Sequence, residues 1–211
     1  MTGILFDLDG TLLDTLEDLA DATNYALRTH GYPERTIQEV RRFVGNGVGA
    51  LLARAVPAGE DAAPALETFR AYYTCHCQVK TQPYPGILEA LAALKGRYPI
   101  AIVSNKLDPA VKALCRDTFP GVYALGETAD CPRKPQPDMV YRAMSDIGVT
   151  DCIYVGDSDV DVITAHNAGV PCLSVLWGFR DREDMAALGQ THFCERPQDL
   201  VETLEEMLCG K

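Results

Sequence analysis

The sequence predicts an α/β fold, in which a doubly wound parallel sheet forms the core and an α-helical domain is inserted after the first strand. Three observations predict it. Apolar runs of strand length recur along the chain, helix-patterned segments alternate with them, and one long segment shows helical periodicity only. Strands that are apolar throughout and alternate with helices are typical of a parallel sheet with both faces covered.

The core elements can be taken in chain order. The predicted strands are short apolar runs at residues 3–7, 99–103, 152–155 and 172–176. The predicted helices carry apolar residues at helical spacing and lie at residues 87–95, 109–115, 138–147 and 159–168. Gly96, Gly148 and Gly169 follow three of these helices, where a glycine commonly ends a helix.

Residues 15–81 interrupt this alternation. They contain three apolar stripes at helical spacing, with Leu19, Leu51 and Phe69 among their members, and no convincing strand. The following Pro- and Gly-containing stretch at 81–86 suits a domain junction. We therefore expect a helical domain at 15–81 and a core made of residues 1–14 and 82–211. The alternative is one continuous α/β domain with a long crossover.

Composition limits the class of protein. Hydrophobic residues make up 47% and charged residues 23% of the 211 residues, which is ordinary for a globular chain. The formal net charge of -11 disfavours binding to nucleic acid, because phosphate backbones require clustered Lys and Arg. No apolar run approaches the length of a membrane helix, so we expect no membrane partner.

Compartment is predicted from the N-terminal residues and from the cysteines. A basic segment followed by a long apolar stretch is not evident at the N-terminus, so no secretory signal is expected. The eight cysteines are expected to be reduced thiols in a cytoplasmic protein. Cys75-His76-Cys77 lacks the second ligand pair of a zinc site.

Four polar clusters lie at or near the carboxyl ends of predicted strands, where doubly wound proteins bind their ligands. They are Asp7-Leu8-Asp9-Gly10-Thr11, Ser104-Asn105-Lys106, Arg133-Lys134-Pro135-Gln136-Pro137-Asp138 and Gly156-Asp157-Ser158-Asp159-Val160-Asp161. Each cluster alone also fits a capped turn, a helix N-cap or a solvated lysine. The four together favour a single phosphate and metal site.

These residue types suit phosphoryl transfer. Asp7 is predicted to be the nucleophile, and Asp9 the acid/base that protonates the leaving oxygen and later activates water. Mg²⁺ prefers hard oxygen ligands, and Asp7 together with the acidic cluster at Asp157 offers them. The predicted phosphate-binding residues are two neutral donors and one cation, namely Ser104, Asn105 and Lys134.

The same motifs resemble the haloacid dehalogenase superfamily: Phe6 to Asp14 its first motif, Ser104 its second, Lys134 its third and Gly156 to Asp161 its fourth. The resemblance implies a Rossmann-like core, with Asp7 as nucleophile and Asp9 as acid/base. It also implies that Mg²⁺ binds to Asp7, the Asp9 backbone carbonyl and Asp157, with Asp161 acting directly or through water.

A closer resemblance is to the phosphoglycolate phosphatases and their near relatives. The residues that carry it include Gly45-Asn46-Gly47, Ser104-Asn105-Lys106 and Ala165-His166-Asn167-Ala168-Gly169. The helical insertion would then be a mobile cap, with Gly45, Asn46 and Gly47 facing the substrate. The implied substrate is a small phosphorylated metabolite, with 2-phosphoglycolate the leading candidate.

Several alternatives stay open. A β-phosphoglucomutase-like mutase or a pyrophosphatase could have the same cap, and a receiver-like module could use clustered aspartates and a lysine without catalysis. Asp159 adds an acid to the fourth cluster, and Arg180 could steer an anionic substrate. The sequence indicates no particular oligomeric state.

Overall fold

The structure, a computed structural model, describes residues 1–210. The chain forms two compact units: Met1–Leu13 together with the chain from Pro83 onward, and Asp14–Gln82. The predicted boundaries, after residue 14 and after residue 81, differ from these by one residue each. That the second unit acts as a cap stays a prediction.

The elements are numbered in chain order. The first are β1 (Thr2–Phe6), β2 (Leu13–Asp14), α1 (Leu16–Thr29), α2 (Ile37–Phe43), α3 (Gly47–Ala55), α4 (Ala63–His76) and β3 (Gln82–Pro83). They continue with α5 (Ile87–Leu94), β4 (Ile100–Leu107), α6 (Asp108–Thr118), β5 (Tyr123–Glu127), α7 (Asp138–Asp146), β6 (Asp151–Gly156), α8 (Asp159–Ala168), β7 (Cys172–Val175), α9 (Arg182–Ala186), β8 (Phe193–Cys194) and α10 (Leu200–Cys209).

Within residues 1–210, none of the helices combines the length and the apolar character that a membrane-spanning helix requires.

The larger unit is built on a six-stranded sheet in the order β5-β4-β1-β6-β7-β8, with parallel pairing throughout. The register aligns Phe6 of β1 with Ile102 of β4 on one side and with Val155 of β6 on the other. The carboxyl ends of these three strands therefore lie side by side. Since strand order reverses at β1, this edge is the place where doubly wound proteins bind ligands.

Both faces of the sheet are buried, which explains why its strands are apolar throughout. Ile4 and Phe6 of β1 pack into one core cluster with residues of α5, α6 and α10. Leu5 points to the opposite face and packs with residues of α7, α8 and α9. Side chains alternate between the faces of a strand, so both sets must be apolar.

The helical unit has a core of its own. Buried side chains from α1, α3 and α4 pack together, among them Leu27, Leu52 and Phe69. The N-terminus of α2 is closed by a capping box between Thr36 and Glu39. The apolar stripes predicted from the sequence thus form the interior of a helix bundle. The α/β fold with a parallel sheet and helical insertion is confirmed.

Some details differ from the prediction. Strand β4 continues to Leu107, so Ser104, Asn105 and Lys106 belong to the strand and do not follow it. Asp108 is the first residue of α6, and its carboxylate accepts the backbone N–H of Gly126 at 3.0 Å. Strands β5 and β8 were not predicted, because these edge strands are short and mixed in polarity. Helices α9 and α10 were not predicted either.

Candidate active site

The loop after β1 carries Asp7 at the centre of the sheet edge. Its backbone N–H donates to the carbonyl of Val155 at 2.8 Å, which extends the β1–β6 pairing by one residue. The side chain is 11% exposed, and Asp7 Oδ1 lies 2.8 Å from Lys134 Nζ. Asp7 is thus a buried carboxylate paired with a buried cation.

The chain turns directly after Asp7. The backbone N–H of Gly10 donates to the carbonyl of Leu13 at 2.8 Å, and Gly10 has a φ of +88°. A Cβ at Gly10 would lie 2.4 Å from Asp157 Oδ2, so both the conformation and the space require glycine. The extended geometry that would put Asp7 and Asp9 on one face is therefore absent: β1 ends at Phe6, and the two carboxylates contact different lysines.

Lys134 connects Asp7 with the acidic cluster after β6. Its side chain is 3% exposed, and Nζ also lies 2.8 Å from Asp161 Oδ1. The Lys134 backbone is held by Asn105, whose amide donates to the Lys134 carbonyl at 2.9 Å and accepts the Lys134 N–H at 2.8 Å. Both ends of the Asn105 side-chain amide hold the Lys134 loop, and that Asn105 binds phosphate stays a prediction.

Asp157 and Asp161 are fully buried beside Asp7. Asp157 accepts the Thr11 hydroxyl at 3.0 Å and the backbone N–H of Phe179 at 2.6 Å. Asp161 accepts the Ser158 hydroxyl at 2.6 Å and the Ser158 backbone N–H at 3.1 Å, and the second bond belongs to the capping box that begins α8. Asp7, Asp157 and Asp161 each offer an oxygen atom, and these atoms lie within 4.8 Å of one another.

The electrostatics of this cluster favour a cation. Burial raises the pKa of Asp7 well above its ordinary value, against the pull of Lys134, and the carboxylates of Asp161 and Asp157 add to the rise. Burial, followed by repulsion from Asp161, raises the pKa of Asp157 to about 7. Three carboxylates and one ammonium group leave an excess of negative charge that a divalent cation would balance. The oxygen donors therefore fit a hard divalent metal ion.

Asp159 lies outside this cluster although it belongs to the same motif. Its carboxylate pairs with Arg180 Nε at 2.9 Å, and its side chain is 37% exposed. Arg180, which could have steered an anionic substrate, is thus engaged with Asp159. The fourth motif divides into two buried acids that face Asp7 and one surface acid that does not.

Asp9 has a separate set of neighbours. Lys106 Nζ donates to Asp9 Oδ1 at 2.8 Å, and the Ser104 hydroxyl lies 3.5 Å from Asp9 Oδ2. Ser104 also accepts the backbone N–H of Lys106 at 3.2 Å. Lys106 belongs to the motif Ser104-Asn105-Lys106, but no role was predicted for it. Residues two apart on a strand share a face, so the spacing of Ser104 and Lys106 could have indicated that both side chains point to the same neighbour.

Three further contacts were missed from the sequence. Thr11 and the Phe179 backbone hold Asp157, and Trp177 Nε1 donates to the Thr11 carbonyl at 2.9 Å. They join the loop after β1 to the loop after β7. No spacing rule connects residues so far apart in the chain.

The predicted substrate loop belongs to the helical unit. Gly45 has a φ of +132° and Gly47 a φ of +77°, and Asn46 directly precedes α3. These positive φ values explain the two glycines. That Gly45, Asn46 and Gly47 contact a substrate stays a prediction.

Gly178→Ala tests how tightly Asp157 is packed. A Cβ at Gly178 would lie 2.3 Å from Asp157 Cβ, so we expect a loss of about 1–3 kcal/mol in unfolding free energy, as for other overpacked sites. Urea unfolding followed by circular dichroism measures this loss. The control is Gly49→Ala, where the new methyl group would meet only Leu66 at 4.0 Å. Equal stability of the Gly178 variant and the unaltered protein would contradict the tight packing.

Comparison with known proteins shows the family of the chain. The model of the haloacid dehalogenase-like hydrolase family matches residues 4–175. A phosphoglycolate phosphatase from Aquifex aeolicus is 32% identical, with 97% of each chain covered. An N-acetylmuramic acid 6-phosphate phosphatase from Pseudomonas aeruginosa is 31% identical, with 99% of this chain and 97% of that protein covered.

Solved structures give the same result. A candidate phosphoglycolate phosphatase from Lactobacillus delbrueckii subsp. bulgaricus superposes with a TM-score of 0.91 at 34% identity, covering 96% of this chain and 98% of that one. The resemblance inferred from the motifs is confirmed, and the comparisons do not favour a receiver-like module. The chain therefore belongs to the haloacid dehalogenase-like hydrolase family.

Proposed function

We propose that this chain is a Mg²⁺-dependent phosphatase that hydrolyses a small phosphate monoester through a covalent aspartyl-phosphate on Asp7. One observation carries the proposal: Asp7 is a buried carboxylate at the central strand end, 2.8 Å from Lys134 and beside Asp157 and Asp161. Such a site can accept an anionic phosphoryl group only where positive charge is supplied.

Each residue has a role in the proposed reaction. Asp7 attacks phosphorus and displaces the leaving oxygen, which takes a proton from Asp9. Asp9 then accepts a proton from the water that attacks the aspartyl-phosphate, so phosphate leaves and the Asp7 carboxylate is restored. Ser104, Asn105 and Lys134 are proposed to bind the phosphoryl oxygens, and Asn105 also keeps the Lys134 loop in place.

The proposed Mg²⁺ ligands are Asp7, the Asp9 backbone carbonyl and Asp157. When bound, Mg²⁺ would neutralise both the attacking carboxylate and the phosphoryl group. Asp161 already contacts Lys134 and Ser158, which favours an indirect role through water or through Lys134.

The leading substrate is 2-phosphoglycolate, because several relatives about one-third identical over most of this chain are named phosphoglycolate phosphatases. N-acetylmuramic acid 6-phosphate is the second candidate, since one relative is named for it. We further propose a cytoplasmic location, where small phosphorylated metabolites occur. The loop Gly45, Asn46 and Gly47 is proposed to contact the leaving group.

The test is phosphate release from a panel of monoesters that includes both candidates and an aryl phosphate. We expect release to require Mg²⁺, to stop with EDTA and to return when Mg²⁺ is added in excess. The largest kcat/KM is expected for 2-phosphoglycolate, and acid quenching during turnover should leave one phosphoryl group on the peptide that contains Asp7. Turnover without Mg²⁺ would overturn the proposed mechanism. Equal kcat/KM values across the panel would overturn the assignment of 2-phosphoglycolate as the substrate.

Mg²⁺ should also stabilise the fold, and more strongly at high pH. The pKa of Asp157 is raised from 3.8 to about 7, so the folded, metal-free protein holds a proton that the unfolded chain releases. The unfolding free energy of the metal-free protein therefore falls as pH rises from about 3.8 to about 7. Mg²⁺ binding must also displace the proton on Asp157, so it is favoured by high pH. At a free Mg²⁺ concentration about a hundred times Kd, binding adds roughly 2.7 kcal/mol to the unfolding free energy, which raises Tm by on the order of 5–10 °C.

Thermal melts with and without MgCl₂ at about pH 8 and about pH 6 measure this difference. The expected rise in Tm is larger at the higher pH. NaCl at the same ionic strength controls for the general effect of salt. A rise that is equal at both pH values would contradict the coupling between the metal and the proton on Asp157.

A further inference from the structure

Lys106 is a nearly buried cation at the site that the roles above leave unassigned. Its side chain is 9% exposed, and its Nζ lies 2.8 Å from Asp9 Oδ1. It lies on β4 at the same sheet edge as Ser104. Long lysine side chains usually extend into water, so one held against a reacting carboxylate calls for a reason.

Asp9 needs an external support because its backbone belongs to a turn. Strand β1 ends at Phe6, and Asp9 makes only an isolated bridge with Leu13. Its side chain is 16% exposed, and the Ser104 hydroxyl is 3.5 Å from Oδ2, at the limit of a hydrogen bond. The contact with Lys106 is the short one, and Lys106 belongs to β4, which lies between β5 and β1 in the sheet.

We propose that Lys106 is a positioning residue for Asp9. Its ammonium group holds Oδ1, so that Oδ2 stays directed toward the reacting atoms as an acceptor. The proposal rests on the proposed function, in which Asp9 takes a proton from water during hydrolysis of the aspartyl-phosphate. In that step the water oxygen forms a bond to phosphorus, the bond between phosphorus and Asp7 oxygen breaks, and the water proton goes to Asp9 Oδ2.

The second half of the reaction should therefore depend on Lys106 more than the first. An aryl phosphate with a good leaving group, such as p-nitrophenyl phosphate, forms the aspartyl-phosphate without help from an acid. Hydrolysis of the aspartyl-phosphate still needs Asp9 in the correct position. Loss of the lysine would then leave the first step fast and make the second one limiting.

The experiment compares Lys106→Met, Lys106→Arg and the unaltered protein in rapid mixing with p-nitrophenyl phosphate and Mg²⁺. For Lys106→Met we expect a burst of nitrophenol close to one per active site, followed by turnover slowed by about 10- to 100-fold, a part of what complete loss of an acid/base costs. Acid quenching should then show aspartyl-phosphate accumulating. Lys106→Arg keeps the cation and should recover most of the steady rate.

Lys112→Met is the matched control, because Lys112 is a surface lysine of α6 that pairs with Asp108. Thermal melts confirm that each variant is folded, and Lys106→Gln replaces Lys106→Met if the latter is not. A rise in KM alone, or a slower rate without a burst, would overturn the positioning role. If the unaltered protein forms no phosphorylated Asp7 at all, the proposed function fails instead, so the two failures are distinguishable.

Discussion

Asp7→Asn is expected to lower phosphate release by at least about 10³-fold, because it removes the nucleophile. Asparagine has nearly the same shape as aspartate, and its amide oxygen can still accept a hydrogen bond from Lys134, which lies 2.8 Å from Asp7. It cannot form an acyl phosphate that water then hydrolyses. Steady-state kcat with 2-phosphoglycolate, together with acid quenching for phosphorylated enzyme, measures the loss.

This loss should not come from unfolding. Burial and the neighbouring acids raise the pKa of Asp7, so the ionised side chain is costly in the metal-free fold. Removing that charge should leave the metal-free Tm equal to or above that of the unaltered protein, as is common when a strained catalytic group is replaced. The matched control is Asp159→Asn, because Asp159 belongs to the same family motifs but pairs with Arg180 outside the buried cluster. Full turnover by Asp7→Asn would overturn the nucleophile assignment.

Lys134→Met is expected to abolish activity and also to destabilise the fold. Lys134 is 3% exposed and lies 2.8 Å from both Asp7 and Asp161. Removing one partner of a buried ion pair commonly costs about 3–5 kcal/mol, because the remaining charge stays buried without compensation. Methionine fills most of the same volume, so lost charge and not a cavity should account for the effect.

The pH dependence of this loss has a defined sign. Lys134 lowers the pKa of Asp7, so its removal lets that pKa rise further. Protonation then relieves the uncompensated charge, and the deficit in unfolding free energy should be smaller at about pH 5 than at about pH 8. Urea unfolding at both pH values measures it, and Lys112→Met on the protein surface should be nearly neutral. A deficit that is unchanged with pH would contradict the ion-pair explanation.

Much of the fold was predictable because it depends on local patterns. Apolar strands such as the one that contains Leu5 and Phe6 are buried on both faces, and the pattern follows from that burial. The helical unit was recognisable because residues such as Leu27 and Phe69 recur at helical spacing. Strand β8 could not be predicted, because a strand of two residues is too short to show an alternation of apolar and polar side chains.

The residues of the candidate site could be predicted as a set, but not their pairings. The sequence motifs are sufficient to identify Asp7, Asp9, Lys134 and Asp157 as candidate site residues. They did not show that Lys134 lies between Asp7 and Asp161, or that Asn105 holds the Lys134 backbone. Those contacts join loops that are distant in the chain, so they depend on strand order and register.

By itself, the sequence determined the fold class, the family and the acids that gather at one sheet edge, because each follows from local periodicity or from a short motif. The tertiary structure alone decided which carboxylate contacts which lysine. Asp7 and Asp9 are only two residues apart, yet strand β1 ends before both of them, and Asp7 contacts Lys134 while Asp9 contacts Lys106. The pairing of β1 with β4 brings Lys106 within reach, and Asn105 of β4 holds the Lys134 loop; no local pattern contains that information.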